Sequence, residues 1–326
     1  TLYARSICFR MKVIDLIRQN SSTAFSFEVL PPKKGRGIDG LQRTIERLRE
    51  FDPKYINITT HHSEYVYSEQ PDGSFRRSTL RRRPGTVAVA AAIQHEYGIT
   101  AVPHILCQGF TQEETEYVLI DLQFLGIENL LLLRGDKPRD EKMFVPTRGG
   151  YAHTTELQGQ INAFNRGTFL DGSPIEADVN FSYGVACYPE KHEEAPNLET
   201  DFAYFRKKVE LGADYGVTQL FYDNTAYLRF CQRVKEAGMD VPVIPGIKPL
   251  TRLSQLTAVP KTFHCDFPEP LAREALKCRT DEEAKALGIE WAVSQCKELI
   301  AAGVPSIHFY TMSAVDSVAQ IAKQIY

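Results

Sequence analysis

No run of apolar residues approaches the ~20 that a membrane-spanning helix needs, so none of the chain reads as a membrane partner. Charge of one sign is also missing: 38 Lys and Arg face 41 Asp and Glu, a net of −3 that argues against a nucleic-acid-binding surface. The seven cysteines are dispersed and contain no C-x-x-C pair. That excludes a dithiol redox motif and a disulfide framework, and it suits reduced, buried thiols in a cytoplasmic protein. Cys107 and Cys187 fall near strand ends but read as small core residues rather than nucleophiles. Low-complexity linkers are absent, and 43% hydrophobic with 24% charged residues is an ordinary globular balance. One domain over residues 11–326 is therefore expected. The first ten residues are basic, with neither an apolar core nor a cleavage site. Met11 reads like a native start, which leaves 1–10 as an upstream extension, with a transit peptide as the alternative.

What the chain does have is eight short runs rich in Val, Ile, Phe and Tyr, nearly all ending on a polar residue. They lie at 23–30, 54–60, 99–106, 129–136, 179–188, 216–222, 241–247 and 304–311. Helical stretches are expected at 12–19, 38–51, 86–97, 111–126, 152–165, 199–213, 224–238, 270–302 (broken near Thr280) and 314–325. Thr111 with Glu114 fits a capping box, Asn197, Asp223 and Ser313 fit helix starts, and Gly126 and Gly212 fit helix stops. Strands alternating with helices imply parallel pairing, and eight such units at this length suit an α/β (β/α)8 barrel, here with an extra N-terminal helix. In that fold Glu28, Thr59, His104, Asp136, Tyr188, Gln219 and Thr311 would converge on one mouth. Two long connections, 61–85 and 137–151, are expected as loops over that mouth. The irregular 166–178 precedes the fifth run and belongs at the opposite face, as structure or subunit contact.

Several motifs have competing readings. The G-x-G-x-x-G at 35–40 follows two prolines and two lysines, and the next run ends in Thr59 and Thr60 rather than an acid. Both facts disfavour a dinucleotide fingerprint and leave a flexible loop. Glu28 stands between Phe27 and Val29. Surrounded in this way it would have a raised pKa and could act as a general acid, or it is simply an exposed edge glutamate. Arg134 and Asp136 close a four-leucine run, as site residues or as a mutual ion pair. His61, His62, His104 and His192 could suggest a metal beside Asp136, but the first run offers only Phe27 and Glu28 in place of an H-x-H pair, so no metal is expected. Arg81, Arg82 and Arg83 form either an anion site at a helix start or a solvated basic loop.

Taken together the strand ends resemble those of the methylenetetrahydrofolate reductase family. The matching segments are F-E-V-L-P-P-K at 27–33, N-I-T-T at 57–60, P-H-I-L-C at 103–107 and L-R-G-D at 133–136. Further on they are C-Y-P-E at 187–190, T-Q-L-F-Y-D at 218–223, P-G-I-K-P at 245–249 and H-F-Y-T at 308–311. The resemblance implies reduction of 5,10-methylenetetrahydrofolate to 5-methyltetrahydrofolate by NADH or NADPH, through non-covalently bound FAD in a ping-pong sequence. It implies a general acid at Glu28 and a second catalytic carboxylate at Asp136. FAD would be held by Thr59, Thr60, His62, His104, Arg134, Gly135, Asp136, Tyr151, Tyr188, His192, Ala195, Asp201 and Lys208. Folate would meet Glu28, Thr59, Asp136, Gln219 and Gln255, and a homo-oligomer is expected.

The chain departs from the pattern at Thr60 and Val259, where aromatics are common, and at Ala314, where an arginine is. With no regulatory C-terminal segment after residue 326, S-adenosylmethionine is expected to be without effect. A non-catalytic flavin- or folate-binding barrel and a proline dehydrogenase-like flavoenzyme are the alternatives.

Overall fold

The computed structural model describes residues 11–137, 143–312 and 314–326, leaving aside the side chains of residues 64 and 65. Its main sheet is formed by β1 (Ala24–Val29), β2 (Tyr55–Ile58), β5 (Thr100–Leu106), β6 (Asn129–Leu133), β7 (Ser182–Cys187), β8 (Tyr215–Thr218), β9 (Val243–Ile244), β10 (Gly246–Ile247) and β11 (Ser306–Tyr310). Every pairing in it is parallel. The order β10-β11-β1-β2-β5-β6-β7-β8-β9 has the two halves of one strand at its ends, because only Pro245 separates β9 from β10. The sheet thus closes on itself as an eight-stranded barrel, as the sequence implies.

Closure happens at Pro245. Proline has no N–H to give to a ladder, and the chain changes partner there: Val243 pairs with Gly216 on one side, Gly246 with His308 on the other. The Pro245 carbonyl still accepts from His308 N at 3.0 Å. Gly246 N donates to Thr218 Oγ1 at 2.9 Å, and Tyr310 donates its hydroxyl to Thr218 O at 2.7 Å.

Around the barrel stand α2 (Asp39–Leu48), α3 (Thr86–Tyr97), α4 (Gln112–Phe124), α5 (Thr154–Asn165), α6 (Leu198–Glu210), α7 (Asn224–Glu236), α10 (Asp281–Ala301) and α11 (Val315–Ile325). The capping box at Thr111 and Glu114 forms, and Asn197 and Asp223 cap α6 and α7. Gly126 and Gly212 both adopt positive φ, as helix stops require. The start assigned to Ser313 lies outside the described residues. Residues 166–178 join α5 to β7 at the N-terminal face, where Leu170 N donates to Glu116 at 2.6 Å.

That face is plugged by α1 (Val13–Gln19). Its Val13 and Ile17 join Ala24, Tyr55, Val102, Leu131, Tyr215, Val217 and Ile244 in one apolar cluster inside the barrel floor. Asn129 fixes the helix by accepting from Val13 N at 2.8 Å and donating to Met11 O at 3.1 Å. Lys12 pairs with Glu128 at 2.6 Å.

Two points differ from the sequence reading. Residues 61–85 are no structureless loop: they contain an antiparallel hairpin, β3 (Glu64–Glu69) and β4 (Phe75–Leu80), turning at Gly73 with φ 79°. Its Tyr-Val-Tyr run and Asp-Gly turn are hairpin signals in their own right. The break expected near Thr280 is present: 270–302 forms α9 (Glu269–Ala275) and α10, with Thr280 capping the second by accepting from Glu283 N. An additional helix, α8 (Gln255–Phe263), follows the seventh strand and retains Pro260 within it.

The seam yields a direct test. A methyl on Gly246 would sit 2.5 Å from both Thr218 O and the Tyr310 ring. Gly246→Ala should cost about 1–3 kcal/mol of stability in urea denaturation. Gly159→Ala on α5, where nothing lies within 4 Å, should be neutral or gain a fraction of ~1 kcal/mol.

Candidate functional site

Alternation along the strands decides which side chains enter the barrel. On β1, Ser26 and Glu28 face inward while Phe25, Phe27 and Val29 join the outer core between sheet and helices. The same rule turns Asn57, His104 and His308 inward, all three buried and polar. Below them the barrel is apolar. Above, the strands end and the site begins.

Glu28 is only 9% exposed, which settles the edge-glutamate alternative. Burial raises its carboxyl to about 7, and the Lys248 ammonium opposes that rise. His104 Nε2 lies 3.9 Å from Glu28 Oε2, too far for a direct hydrogen bond. Burial also pushes His104 down to about 3, so a neutral ring faces a carboxyl that changes charge around pH 7. Thr311 Oγ1 donates to the Glu28 carbonyl at 2.5 Å, tying β1 to the end of β11. Thr60 donates to His104 O at 2.5 Å, and half-buried Thr59 lies next to it with Oγ1 3.5 Å from His61 Nε2. His62 lies against Gly109, where an added methyl would meet the His62 Cβ at 2.1 Å, and Gly109 also takes a positive φ of 78°.

Across the mouth a second group gathers on β6, β7 and α6. Arg134 makes a bidentate pair with Glu194 at 2.5 and 2.9 Å and stacks over Phe144 at 4.5 Å. The mutual ion pair with Asp136 weighed from sequence is therefore not its partnership. Asp136 is open to solvent. Crowding by neighbouring atoms, then Glu193, raise its pKa, while Arg134 lowers it. Gly135 takes φ 89°, and a methyl there would strike Gln108. Tyr188 stands edge-on to His192 with ring centroids 4.7 Å apart. His192 N donates to Asp201 Oδ2 at 3.2 Å, and desolvation with Arg134 lowers the His192 ring to about 4. Lys208 reaches inward to donate to Ala186 O at 2.9 Å. Buried Ala195 accepts from Lys191 at 2.6 Å, and Tyr151 is half-buried, raised to about 12 mainly by desolvation.

Of the two expected glutamine contacts, Gln219 sits half-buried just past β8, its Oε1 accepting from Leu220 N at 2.9 Å. Gln255 lies at the start of α8, with Oε1 taken by Thr251 N and Arg252 N at 2.7 and 3.1 Å. Val259 is buried with Leu220, Tyr222, Cys265 and Leu271 rather than presented to the mouth. Ala314 is buried too, at the start of α11.

Three site residues were not singled out in the sequence: Lys248, Asn57 and His308. Lys248 is 6% exposed, its ammonium 3.1 Å from Met312 Sδ, with Glu28 as its electrostatic partner. A lysine in the otherwise apolar P-G-I-K-P at a strand end was the available signal. The histidines weighed as metal ligands do not assemble: among the described residues no group of three His, Cys, Asp or Glu could hold an ion. Nor is any described helix long and apolar enough to cross a membrane.

Comparison with known proteins follows the same direction. The family profile described as methylenetetrahydrofolate reductase matches residues 12–326. An Arabidopsis thaliana protein named methylenetetrahydrofolate reductase (NADH) 1 is 32% identical over 329 residues, covering 97% of this chain and 51% of that one. The chain thus spans about half the length of the plant and yeast relatives it matches. The 5,10-methylenetetrahydrofolate reductase of Salmonella typhimurium is 28% identical over 293 residues, covering 89% of this chain and 86% of that one. Among solved structures, a Clostridium thermocellum protein described as binding two copies of 5-methyl-5,6,7,8-tetrahydrofolic acid superimposes with TM-score 0.54 at 14% identity, over 94% and 96% of the two chains. At that identity the likeness shows the fold alone.

Glu28 gives a prediction independent of any activity. A buried carboxyl with a raised pKa keeps its proton when the unfolded chain has lost it. Stability is then full below about 4.5, falls as pH rises to about 7, and levels off beyond. The loss attributable to Glu28 is roughly 3 kcal/mol. Glu28→Gln stays neutral throughout, so its stability relative to the parent should improve from pH 5 to pH 8 in urea denaturation. A difference that does not change with pH would mean Glu28 titrates normally.

Proposed function

The chain belongs to the methylenetetrahydrofolate reductase family, and from that premise we propose that it reduces 5,10-methylenetetrahydrofolate to 5-methyltetrahydrofolate, with NADH or NADPH as electron source and FAD as the bound carrier. The observation that carries this reading is Glu28: a desolvated carboxyl poised near pH 7, at the C-terminal mouth of a barrel whose floor is sealed.

The residues opposite Glu28 suit FAD. Lys208 bonds only a neutral carbonyl among the described residues, so its charge is available to a phosphate. Asp201 offers a carboxylate to ribose hydroxyls. Gly135 supplies backbone where a side chain would collide. Arg134 reaches the same place but has Glu194 as counter-ion, so a phosphate there competes with that carboxylate. His104, Tyr151, Tyr188, His192, Ala195, Thr59, Thr60 and His62 complete the lining on this reading. Bound there, FAD would supply hydride transfer between nicotinamide and folate.

The chain's own contribution is position and one proton. Opening the folate five-membered ring expels a nitrogen that must be protonated, and Glu28 holds a proton for it at neutral pH. Lys248 limits how far that pKa rises, so the acid stays able to give the proton up. Asp136, open at the mouth, is suited to hydrogen-bond the pterin N–H groups, with Gln219 and Gln255 as amide contacts along the substrate. Gln255 must first release the backbone N–H groups it now accepts from.

Two measurements test the reading. Lys208→Ala should purify with less flavin and bind added FAD more weakly; unaltered affinity would remove Lys208 from the site. In stopped flow, Glu28→Gln should leave flavin reduction by NADH or NADPH within about tenfold of the parent. Reoxidation by methylenetetrahydrofolate should slow by about 10²–10⁴-fold, the usual worth of a general acid. Equal losses in both half-reactions would show Glu28 to be structural.

A further inference from the structure

Three inward side chains on neighbouring strands are left with unmet hydrogen-bonding capacity around Glu28. The strands run β11-β1-β2-β5. Glu28 is in register with Asn57, and Ser26, one inward position below, with His308. Asn57, His104 and His308 are 0%, 5% and 1% exposed. Among the described residues, Asn57 Oδ1, His104 Nε2 and His308 Nε2 have no protein hydrogen-bond partner.

The tautomer of His308 follows from its other nitrogen. Nδ1 lies 3.3 Å from Asn57 Nδ2 and 3.0 Å from Ser26 Oγ. An amide nitrogen can only donate, so Nδ1 accepts, and a neutral ring then carries its proton on Nε2. Burial, with His104 nearby, holds the ring neutral. A buried N–H donor therefore stands unpartnered beside two unpartnered acceptor-capable atoms, and His104 Nε2 is 3.9 Å from the Glu28 carboxyl. Buried polar atoms in this position are ordinarily joined by an ordered water with two to four partners.

We propose that His308 is a positioning residue for Glu28: its Nε2–H, through a water shared with Asn57 Oδ1, steadies the carboxylate left when the acid has given up its proton. The proposal rests on Glu28 being the acid of the proposed reaction. The proton leaves Glu28 for the departing folate nitrogen. The water accepts from His308 and donates to the Glu28 anion and to Asn57 Oδ1. No proton leaves His308, and solvent returns the one Glu28 has lost. The other ionisable groups facing Glu28 have different duties. Lys248 acts from the end of β10 as a charge, Tyr310 gives its hydroxyl to Thr218 O, and His104 comes from β5.

A hydrogen bond to the anion lowers an acid's pKa, so removing the donor raises it. In the chain without substrate, titration of the Glu28 carboxyl by ¹³C NMR should move up by about one unit in His308→Leu. His308→Gln, which retains an N–H donor, should return it most of the way. Identical titrations in all three proteins would overturn the proposal. Should the leucine variant fail to fold, ¹⁵N spectra of the parent imidazoles decide: His308 protonated on Nε2 supports the role, and protonation on Nδ1 or a charged ring removes it. Activity separates the two levels of inference. If the parent reduces folate, the alkaline limb of that half-reaction should shift with the carboxyl in His308→Leu while reduction by nicotinamide does not. If the carboxyl shifts but the parent reduces no folate, the reaction is misassigned and the His308 contact stands.

Discussion

Closure of the sheet through residues 243–247 is the constraint on which the rest of this molecule depends. An open eight-stranded sheet would leave two edges of unpaired N–H and C=O groups, and its concave face would be wet. Closed, it forces every second side chain into a volume only wide enough for side chains to fill. The chain meets this with residues that would make little sense elsewhere. Gly184 is bare because the Tyr215 ring lies within 2.3 Å of where its Cβ would be, and Gly246 is bare because Tyr310 crosses beside it. Pro245 sits where the strand changes partner and its missing N–H costs nothing.

A closed barrel has two ends, and the sequence treats them oppositely. At the floor, Val13 and Ile17 of α1 finish an apolar plug, so water is excluded from below. Toward the mouth the interior becomes polar through Ser26, Asn57, His308, His104 and Glu28. A protein can bury that many polar groups only by keeping them neutral or by pairing them. Here neutrality is the rule: Glu28 is raised to about 7 and His104 depressed to about 3 by the same desolvation. Full charges such as Arg134, Lys137 and Asp136 sit across the mouth, where counter-ions or solvent reach them.

Much of this was legible in the sequence, for identifiable reasons. Each of the eight apolar runs contains strand, and several stop on a polar residue that the barrel carries to its mouth, which is why Glu28, His104, Arg134 and Gln219 could be named from strand ends alone. The hairpin was missed because length dominated the reading of 61–85, although Tyr65, Val66 and Tyr67 are strand formers and Pro71, Asp72 and Gly73 mark a turn. Asn57 and His308 were missed for a different reason. Both lie inside apolar runs, and their significance comes from register: β1 lies between β2 and β11, which places residues 251 apart in sequence within 3.3 Å. Lys248 belongs to the same class, since only closure brings the seventh strand's end to Glu28. Val259 and Ala314, departures by resemblance, are small core residues here, so whatever contacts the usual side chains make, these two positions do not supply them.

On the proposed function, the division between neutral and charged halves bears on how one mouth could serve two different transfers. Hydride delivery asks the protein for a fixed geometry and no proton. Ring opening asks for a proton at one atom and nothing that would trap it. A carboxyl in the neutral half meets the second demand without a permanent charge near the first, because burial keeps its proton on and Lys248 keeps it removable. Placing that carboxyl among the charges of the opposite wall would fail on both counts. Arg134 or Lys208 beside it would favour the ionised form, and an anion there would compete with phosphate for the same cations. Separation across the barrel, with β1 and β10 on one side and β6, β7 and α6 on the other, is thus the arrangement in which both sets of groups keep the protonation state they need.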